Sequence, residues 1–200
     1  METDNRFLGA MEAGLKQKLA SVRLLAMDVD GVLTDGTLGY DSAGSEQKRF
    51  HVADGLGLVV IQQVGVKVAW ISGRKSASVE RRAAELGTIC LLQHVKYKSI
   101  ALQELASELK VREEEIAYIG DDWNDLPAFS VAGVGIAVAN AAFDVKQVAH
   151  YVTQTLGGHG AVREVCELLL EAKEIRVEGL SLYLDSLRKP VSEVSCSAGQ

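Results

Sequence analysis

Short apolar or β-branched runs recur along the chain, at Leu24 to Val29, Lys67 to Ile71, Thr88 to Leu92, Ile116 to Ile119, Val134 to Val138 and His150 to Thr153. Runs of this length bounded by glycine and polar residues predict strands. Between them the period changes. Leu102, Leu105, Ala106 and Leu109 recur at i, i+3, i+4 and i+7, as do Val162, Val165, Cys166 and Leu169, which predicts helices with one buried face. Strands alternating with helices imply right-handed crossovers, hence an α/β fold with a Rossmann-like parallel sheet and helices on both faces.

Three segments depart from this rhythm. Thr37 to Val52 alternates Leu38/Tyr40 and Phe50/Val52 around the polar turn Asp41 to Glu46, predicting a β-hairpin that projects from the sheet. Leu8, Met11, Leu15 and Leu19 line one face of a helix, giving a helical extension over residues 1–21. From Arg176 onward the pattern is harder to read. Leu180, Leu182, Leu184 and Leu187 supply apolar content and Pro190 to Gln200 reads as disordered, so 176–200 is expected to be a partly disordered tail beyond a domain spanning 22–175.

Composition narrows the class. A chain of 200 residues with 48% hydrophobic content can bury a single core, and two prolines without low-complexity sequence leave no linker between domains. The net charge of -6 argues against a nucleic-acid surface or a polybasic membrane patch, so an anionic substrate needs a local basic pocket. No apolar run approaches the roughly 18 residues of a membrane span, and the N-terminus lacks a basic region followed by an apolar block. A soluble, cytoplasmic protein is expected. Cys90, Cys166 and Cys196 are odd in number and widely spaced, which indicates neither a disulfide framework nor a zinc site.

The candidate chemistry begins where the first run gives way to Asp28-Val29-Asp30-Gly31-Val32-Leu33-Thr34-Asp35-Gly36. In an extended strand Asp28 and Asp30 would project to the same side at roughly 7 Å spacing, so both could address one ligand. At the carboxyl end of a central parallel strand they would face the usual crevice of open α/β sheets, where a metal or cationic side chain must offset them. A plain Asp-Gly surface turn accounts for neither the second aspartate nor the distant residues that follow.

Three more groups sit just after predicted strands. Ser72 and Gly73, in Ile71-Ser72-Gly73-Arg74, offer a hydroxyl and backbone N–H groups at a helix start, a common phosphate cradle. Lys98 opens a helix and can meet the same anion as a point charge. Gly120-Asp121-Asp122-Trp123-Asn124-Asp125 adds carboxylates. Singly, these could be a helix cap, a solvated charge and a first-turn dipole effect; their order and common placement carry the weight. His94, His150 and His159 lack metal-ligand spacing, and Gly133-Val134-Gly135 lacks the third glycine and downstream acid of a nucleotide fingerprint.

Together these stretches resemble the haloacid dehalogenase phosphatase superfamily: D-x-D-G-x-x-T-D, a Ser or Thr before Gly, a Lys, and G-D-D-x-x-D, from Leu24 to about Lys173. The resemblance implies that Asp28 is the nucleophile and Asp30 the general acid/base. It implies Mg2+ held by Asp28, the backbone carbonyl of Asp30 and Asp121, phosphate bound by Ser72, Gly73 and Lys98, and support from Asp122 and Asp125. The gaps between motifs hold a hairpin, two helices and two strands, leaving no room for a cap domain.

Further stretches narrow it. Lys48 to Gly55, Ile71 to Lys75, Tyr118 to Asp122 and Gly157 to Glu164 resemble the 3-deoxy-D-manno-octulosonate 8-phosphate phosphatase family. That resemblance implies a capless homotetramer with sites at subunit interfaces, acting in lipopolysaccharide precursor synthesis. It places Asp30, His51, Val52, Ala53, Asp54, Gly55, Arg74, Arg82 and Lys98 against the substrate, and it lets Gly179 to Leu182 cap a neighbour's site. An ordinary helix charge fits Arg82 equally well, and a fold histidine fits His51. Ala53 and Val59 stand where family members often carry Arg, and Trp123-Asn124-Asp125-Leu126-Pro127 departs from the usual Leu-Ile-Asp-Trp-Pro. Competing readings are a phosphatase of a nine-carbon sialic-acid-type 9-phosphate, a receiver-like signalling domain, and a non-catalytic oligomerisation domain.

Overall fold

The computed structural model describes residues 13–188. Strand β1 (Leu24–Met27) is followed by a two-stranded ribbon, β2 (Gly39–Tyr40) and β3 (Glu46–Gln47), and then by β4 (Lys67–Ile71), β5 (Cys90–Leu92), β6 (Ile116–Gly120), β7 (Val134–Ala137) and β8 (Tyr151–Val152). The helices are α1 (Ala13–Ser21), α2 (Val52–Gln63), α3 (Ala77–Leu86), α4 (Lys98–Leu109), α5 (Leu126–Phe129), α6 (Phe143–Val148), α7 (Ala161–Ala172) and α8 (Arg176–Leu187). Apart from the antiparallel ribbon, all strands join one parallel sheet in the order β5-β4-β1-β6-β7-β8.

Every residue of β1 is fully buried, as expected of a central strand covered on both faces. Helix α2 packs on α7, with α1 and α8 beside them, whereas α4 packs on α5 across the sheet. The predicted faces seat these helices: Val162, Val165, Cys166 and Leu169 of α7 are all fully buried, as is Leu102 of α4. From β1 the chain runs outward through β4 to β5, then returns to β6 on the other side of β1. The carboxyl ends of β1 and β6 therefore flank the topological switch point, the place where open α/β sheets form a crevice. Only the ribbon and α2 separate β1 from β4, and only α3 separates β4 from β5, so the fold is capless.

Three expectations need correction. Strand β1 stops at Met27 rather than Val29, because the chain turns at once into the aspartate loop. The hairpin is confined to β2 and β3. Phe50 instead stacks on the buried Trp70 at 6.3 Å between ring centroids, and Val52 is the first residue of α2. The expected tail is a helix over Arg176–Leu187, anchored by Gly179, whose ideal Cβ would lie 3.2 Å from Leu170 and 3.3 Å from Val60. Gly179 thus packs on its own subunit's α2 and α7, while Leu180 and Leu182 remain exposed. In α1, Leu19 is buried and Leu15 packs on the core, while Leu8, Met11 and Pro190 to Gln200 lie outside the described residues.

Candidate active site

The Asp28 N–H donates to the Ile119 carbonyl at 3.0 Å, prolonging the β1–β6 ladder by one residue and fixing Asp28 at the crevice. Beyond it the chain winds into a turn. Leu33 and Thr34 donate backbone N–H groups to the Val29 carbonyl at 2.9 and 3.1 Å, and Thr34 Oγ1 accepts from the Gly31 and Gly36 N–H groups at 3.4 and 3.3 Å. This turn, not strand alternation, brings Asp30 beside Asp28. Both line one cavity with Gly73, Arg74, Asp121 and Asn124.

A second loop clamps the turn from outside. An ideal Cβ on Gly157 would sit 1.7 Å from the Gly31 carbonyl oxygen, and one on Gly158, at φ +71°, 2.3 Å from the Asp35 nitrogen. Only glycine permits that approach. The Gly158 N–H donates to the Val32 carbonyl at 2.9 Å, and His159 Nδ1 lies 2.9 Å from the Gly157 carbonyl, giving that histidine a structural place.

Under the cavity lies a buried charge cluster. Lys98 Nζ is 2.9 Å from Asp28 Oδ2 and 2.7 Å from Asp125 Oδ1, with its side chain 1% exposed. Asp125 is fully committed: it also accepts from the Tyr118 hydroxyl at 2.8 Å and from the Asp121 N–H at 3.0 Å. Burial alone would lower the Lys98 pKa, but Asp28 and Asp125 outweigh it and the ammonium is held charged. Burial, then repulsion from Asp125, pushes Asp28 up to about 7 despite Lys98. Burial, then Asp28 and Asp125, pushes Asp121 up to about 8.

Carboxylate oxygens of Asp28, Asp121 and Asp125 lie within 4.8 Å of one another. With Asp125 occupied by Lys98 and Tyr118, the donors that face the cavity are Asp28 and Asp121. Asp121 Oδ1 is buried and has no hydrogen-bond partner among the described residues. Hard oxygen donors with one orphaned atom and excess negative charge fit a magnesium ion.

The phosphate cradle is less exposed than expected. Gly73 lines the cavity, but Ser72 is 2% exposed and its Oγ accepts the Arg74 N–H at 3.2 Å. Two site residues escaped the sequence reading, Glu46 and Lys48. Lys48, its side chain 1% exposed, pairs with Asp30 and stands 3.2 Å from Glu46, which in turn pairs with Arg74. Arg74 closes the circuit at 3.8 Å from Asp30. The ribbon therefore delivers charged partners to Asp30; the basic residue Lys48 just after the polar turn was the available signal.

His51 to Gly55 fall elsewhere. His51 is the N-cap of α2 rather than a hairpin residue, Val52 is 80% exposed, and Ala53 follows it in the first turn. Asp54 is buried and accepts the Arg163 N–H at 2.7 Å, satisfying a free donor in the first turn of α7. An ideal Cβ on Gly55 would meet Arg82 Nη2 at 2.2 Å, so the missing side chain lets Arg82 lie against α2 while it pairs with Glu85 of its own helix α3 at 3.2 Å. Asp122 caps the turn at Trp123–Asp125, accepting the Trp123 N–H at 2.8 Å.

A family profile for haloacid dehalogenase-like hydrolases matches residues 87–164. The 3-deoxy-D-manno-octulosonate 8-phosphate phosphatase of Haemophilus influenzae is 43% identical over 159 residues, covering 80% of this chain and 88% of that protein. The crystal structure of the Moraxella catarrhalis phosphatase of the same name, in complex with magnesium, phosphate and the sugar acid, superposes with a TM-score of 0.82 at 45% identity, over 85% of this chain and 98% of that one. A cobalt-bound structure of the Haemophilus influenzae protein gives 0.78 at 40% identity, over 82% and 99%. Agreement of this extent, over a fold that sets its aspartates at the switch point, shows that the chain belongs to the 3-deoxy-D-manno-octulosonate 8-phosphate phosphatase family of haloacid dehalogenase-like hydrolases.

Proposed function

We propose that this enzyme is a magnesium-dependent phosphatase that hydrolyses 3-deoxy-D-manno-octulosonate 8-phosphate to the free sugar acid and phosphate. The observation that carries the reading is Asp28 at the switch point, bridged by buried Lys98 and facing Asp121. In the first displacement Asp28 attacks phosphorus, forming an aspartyl phosphate as the bond to the sugar oxygen breaks. Asp30 gives that oxygen a proton and then removes one from the water that attacks phosphorus in the second displacement. Lys48 and Arg74 hold the Asp30 carboxylate in place; Lys98, Gly73 and Ser72 flank the phosphoryl oxygens, where positioning and charge neutralisation dominate. Asp28, Asp121 and the Asp30 carbonyl would hold magnesium, whose charge would offset the repulsion between an anionic nucleophile and an anionic ester.

Relatives that are phosphatases, and a nucleophile candidate directly after the first strand, disfavour the receiver and non-catalytic readings. We read residues 22–175 as the catalytic unit of a cytoplasmic homotetramer whose open cavity is completed by a neighbour. Exposed Leu38 and Tyr40 on the ribbon side support such association, and no described helix is long and apolar enough to cross a membrane. His51 and Val52 would then reach substrate only across a subunit boundary, whereas Asp54, Gly55 and Arg82 serve packing.

A phosphate-release screen with magnesium over eight-carbon and nine-carbon sugar acid phosphates tests the reading. The eight-carbon ester should turn over fastest, chelator should abolish release, and added magnesium should restore it. Preference for a nine-carbon ester would change the substrate, and release undiminished by chelator would overturn the metal assignment.

A further inference from the structure

The loop that clamps the aspartate turn is itself held by side chains that the chemistry does not use. Among the described residues, the Gly158 N–H makes the single hydrogen bond from another segment to the backbone of Val29 to Gly36, at the Val32 carbonyl. Asp28 does not depend on it, since its own N–H is fixed to Ile119 and its carboxylate to Lys98. Asp30 lies inside the turn, next to the Gly31 carbonyl against which Gly157 packs, so its backbone follows the clamp.

Two anchors set the clamp. Glu164, in the first turn of α7 and 5% exposed, turns its carboxylate onto the chain entering the loop. Its Oε1 accepts the Tyr151 hydroxyl at 2.8 Å and the Gln154 N–H at 2.9 Å, and its Oε2 accepts the Thr155 N–H at 2.9 Å. No cation pairs with Glu164 among the described residues, so a buried charge is committed wholly to three neutral donors. Burial without a counter-ion is costly, and hydrogen bonds to an ionised acceptor are about twice as strong as neutral ones. On the other side Asn140 Oδ1 accepts the Gly157 N–H at 2.7 Å, and two residues further on the Ala142 N–H donates to the Asp121 carbonyl at 2.7 Å. The short loop after β7 thus ties the clamp to the backbone of Asp121. Neither Glu164 nor Asn140 lines the aspartate cavity. We propose that Glu164 and Asn140 are positioning residues for the general acid/base Asp30: through Gly157 and Gly158 they fix the turn that carries it, without touching substrate. The proposal rests on the phosphatase reading and adds to it which distant groups set the acid/base geometry.

Glu164→Gln tests the first anchor, because an amide has one acceptor oxygen and its NH2 group would face a donor. Asn140→Ala removes the second anchor at an exposed residue. A misplacement of about 1 Å can cost about 10²-fold, so a loosened turn should lower kcat about tenfold in each variant, with KM within about twofold. The substrate is the sugar acid phosphate that wild type hydrolyses fastest, at saturating magnesium. Its sugar oxygen needs the Asp30 proton to leave, whereas p-nitrophenolate, a weak base, leaves without one. First-turnover release of p-nitrophenolate from p-nitrophenyl phosphate should therefore stay within about twofold of wild type. Equal losses on both esters would make the two residues general supports of the fold, and unchanged kcat in both variants would make the clamp irrelevant to turnover; either result overturns the proposal. Hydrogen exchange supplies a readout independent of activity. The Leu33 and Thr34 amides, bonded to the Val29 carbonyl, should exchange at least about tenfold faster in both variants while those of β4 keep the wild-type rate. Unchanged exchange in the turn would overturn the coupling. If Glu164→Gln does not fold, Asn140→Ala decides by both measurements. A wild type that releases phosphate from no sugar acid phosphate would instead overturn the phosphatase reading, and the exchange measurement would still decide whether these anchors hold the turn.

Discussion

Asp28→Asn is expected to lower kcat at least about 10³-fold while leaving the fold intact, because it removes the nucleophile without changing the volume of the side chain. The stability effect should be opposite in sign to the usual cost of a buried substitution. Asp28 sits 5% exposed, and burial, then repulsion from Asp125, pushes its pKa up to about 7. Neutralising it relieves that repulsion, although Lys98 loses one of its two partners. Thermal melting of the magnesium-free protein should therefore show the variant at least as stable as wild type. Coupled with lost turnover, that result assigns the defect to chemistry; Asp28→Ala should be equally inactive. Wild-type turnover in Asp28→Asn would exclude Asp28 as the nucleophile.

Lys98→Met should damage both function and fold. The side chain is buried and bridges two carboxylates, so its loss leaves Asp28 and Asp125 without their common counter-charge. Breaking a buried pair in this way costs about 3–5 kcal/mol. In a domain of this size that corresponds to a melting point lower by about 10 °C. Turnover should fall about 10³-fold or more, since the ammonium also neutralises the transferring phosphoryl group. Adding Asp125→Asn separates the two effects. The double variant should regain much of the melting temperature, measured by calorimetry, and none of the turnover. If turnover recovered together with stability, Lys98 would be a structural cation and no more.

Much of this site was legible because each contributing residue follows an apolar run. Leu24 to Met27, Lys67 to Ile71 and Ile116 to Gly120 became buried strands, and parallel topology then brings their carboxyl ends together, delivering Asp28, Gly73 and Asp121 to one crevice. What failed was information that periodicity does not carry. Phe50 and Val52 alternate like strand residues, yet one packs on Trp70 and the other opens a helix, since two positions cannot distinguish a strand from a helix approach. Gly55 and Gly57, within α2, permit the close approach of Arg82, Arg163 and Cys166, contacts that no periodic pattern announces. Helix α8 was obscured because its leucines are exposed and its buried contact is a glycine. Lys48 reaches Asp30 through the ribbon's geometry, a contact between residues with no periodic relation.

Central to the proposed function is a covalent phosphoryl-enzyme formed on Asp28. Stereochemistry at phosphorus probes it most directly, using a sugar acid phosphate made chiral with oxygen isotopes and analysing the configuration after transfer to an acceptor alcohol. Two successive in-line displacements predict overall retention of configuration. Inversion would mean a single direct displacement at phosphorus, and would contradict the assignment of Asp28 as nucleophile.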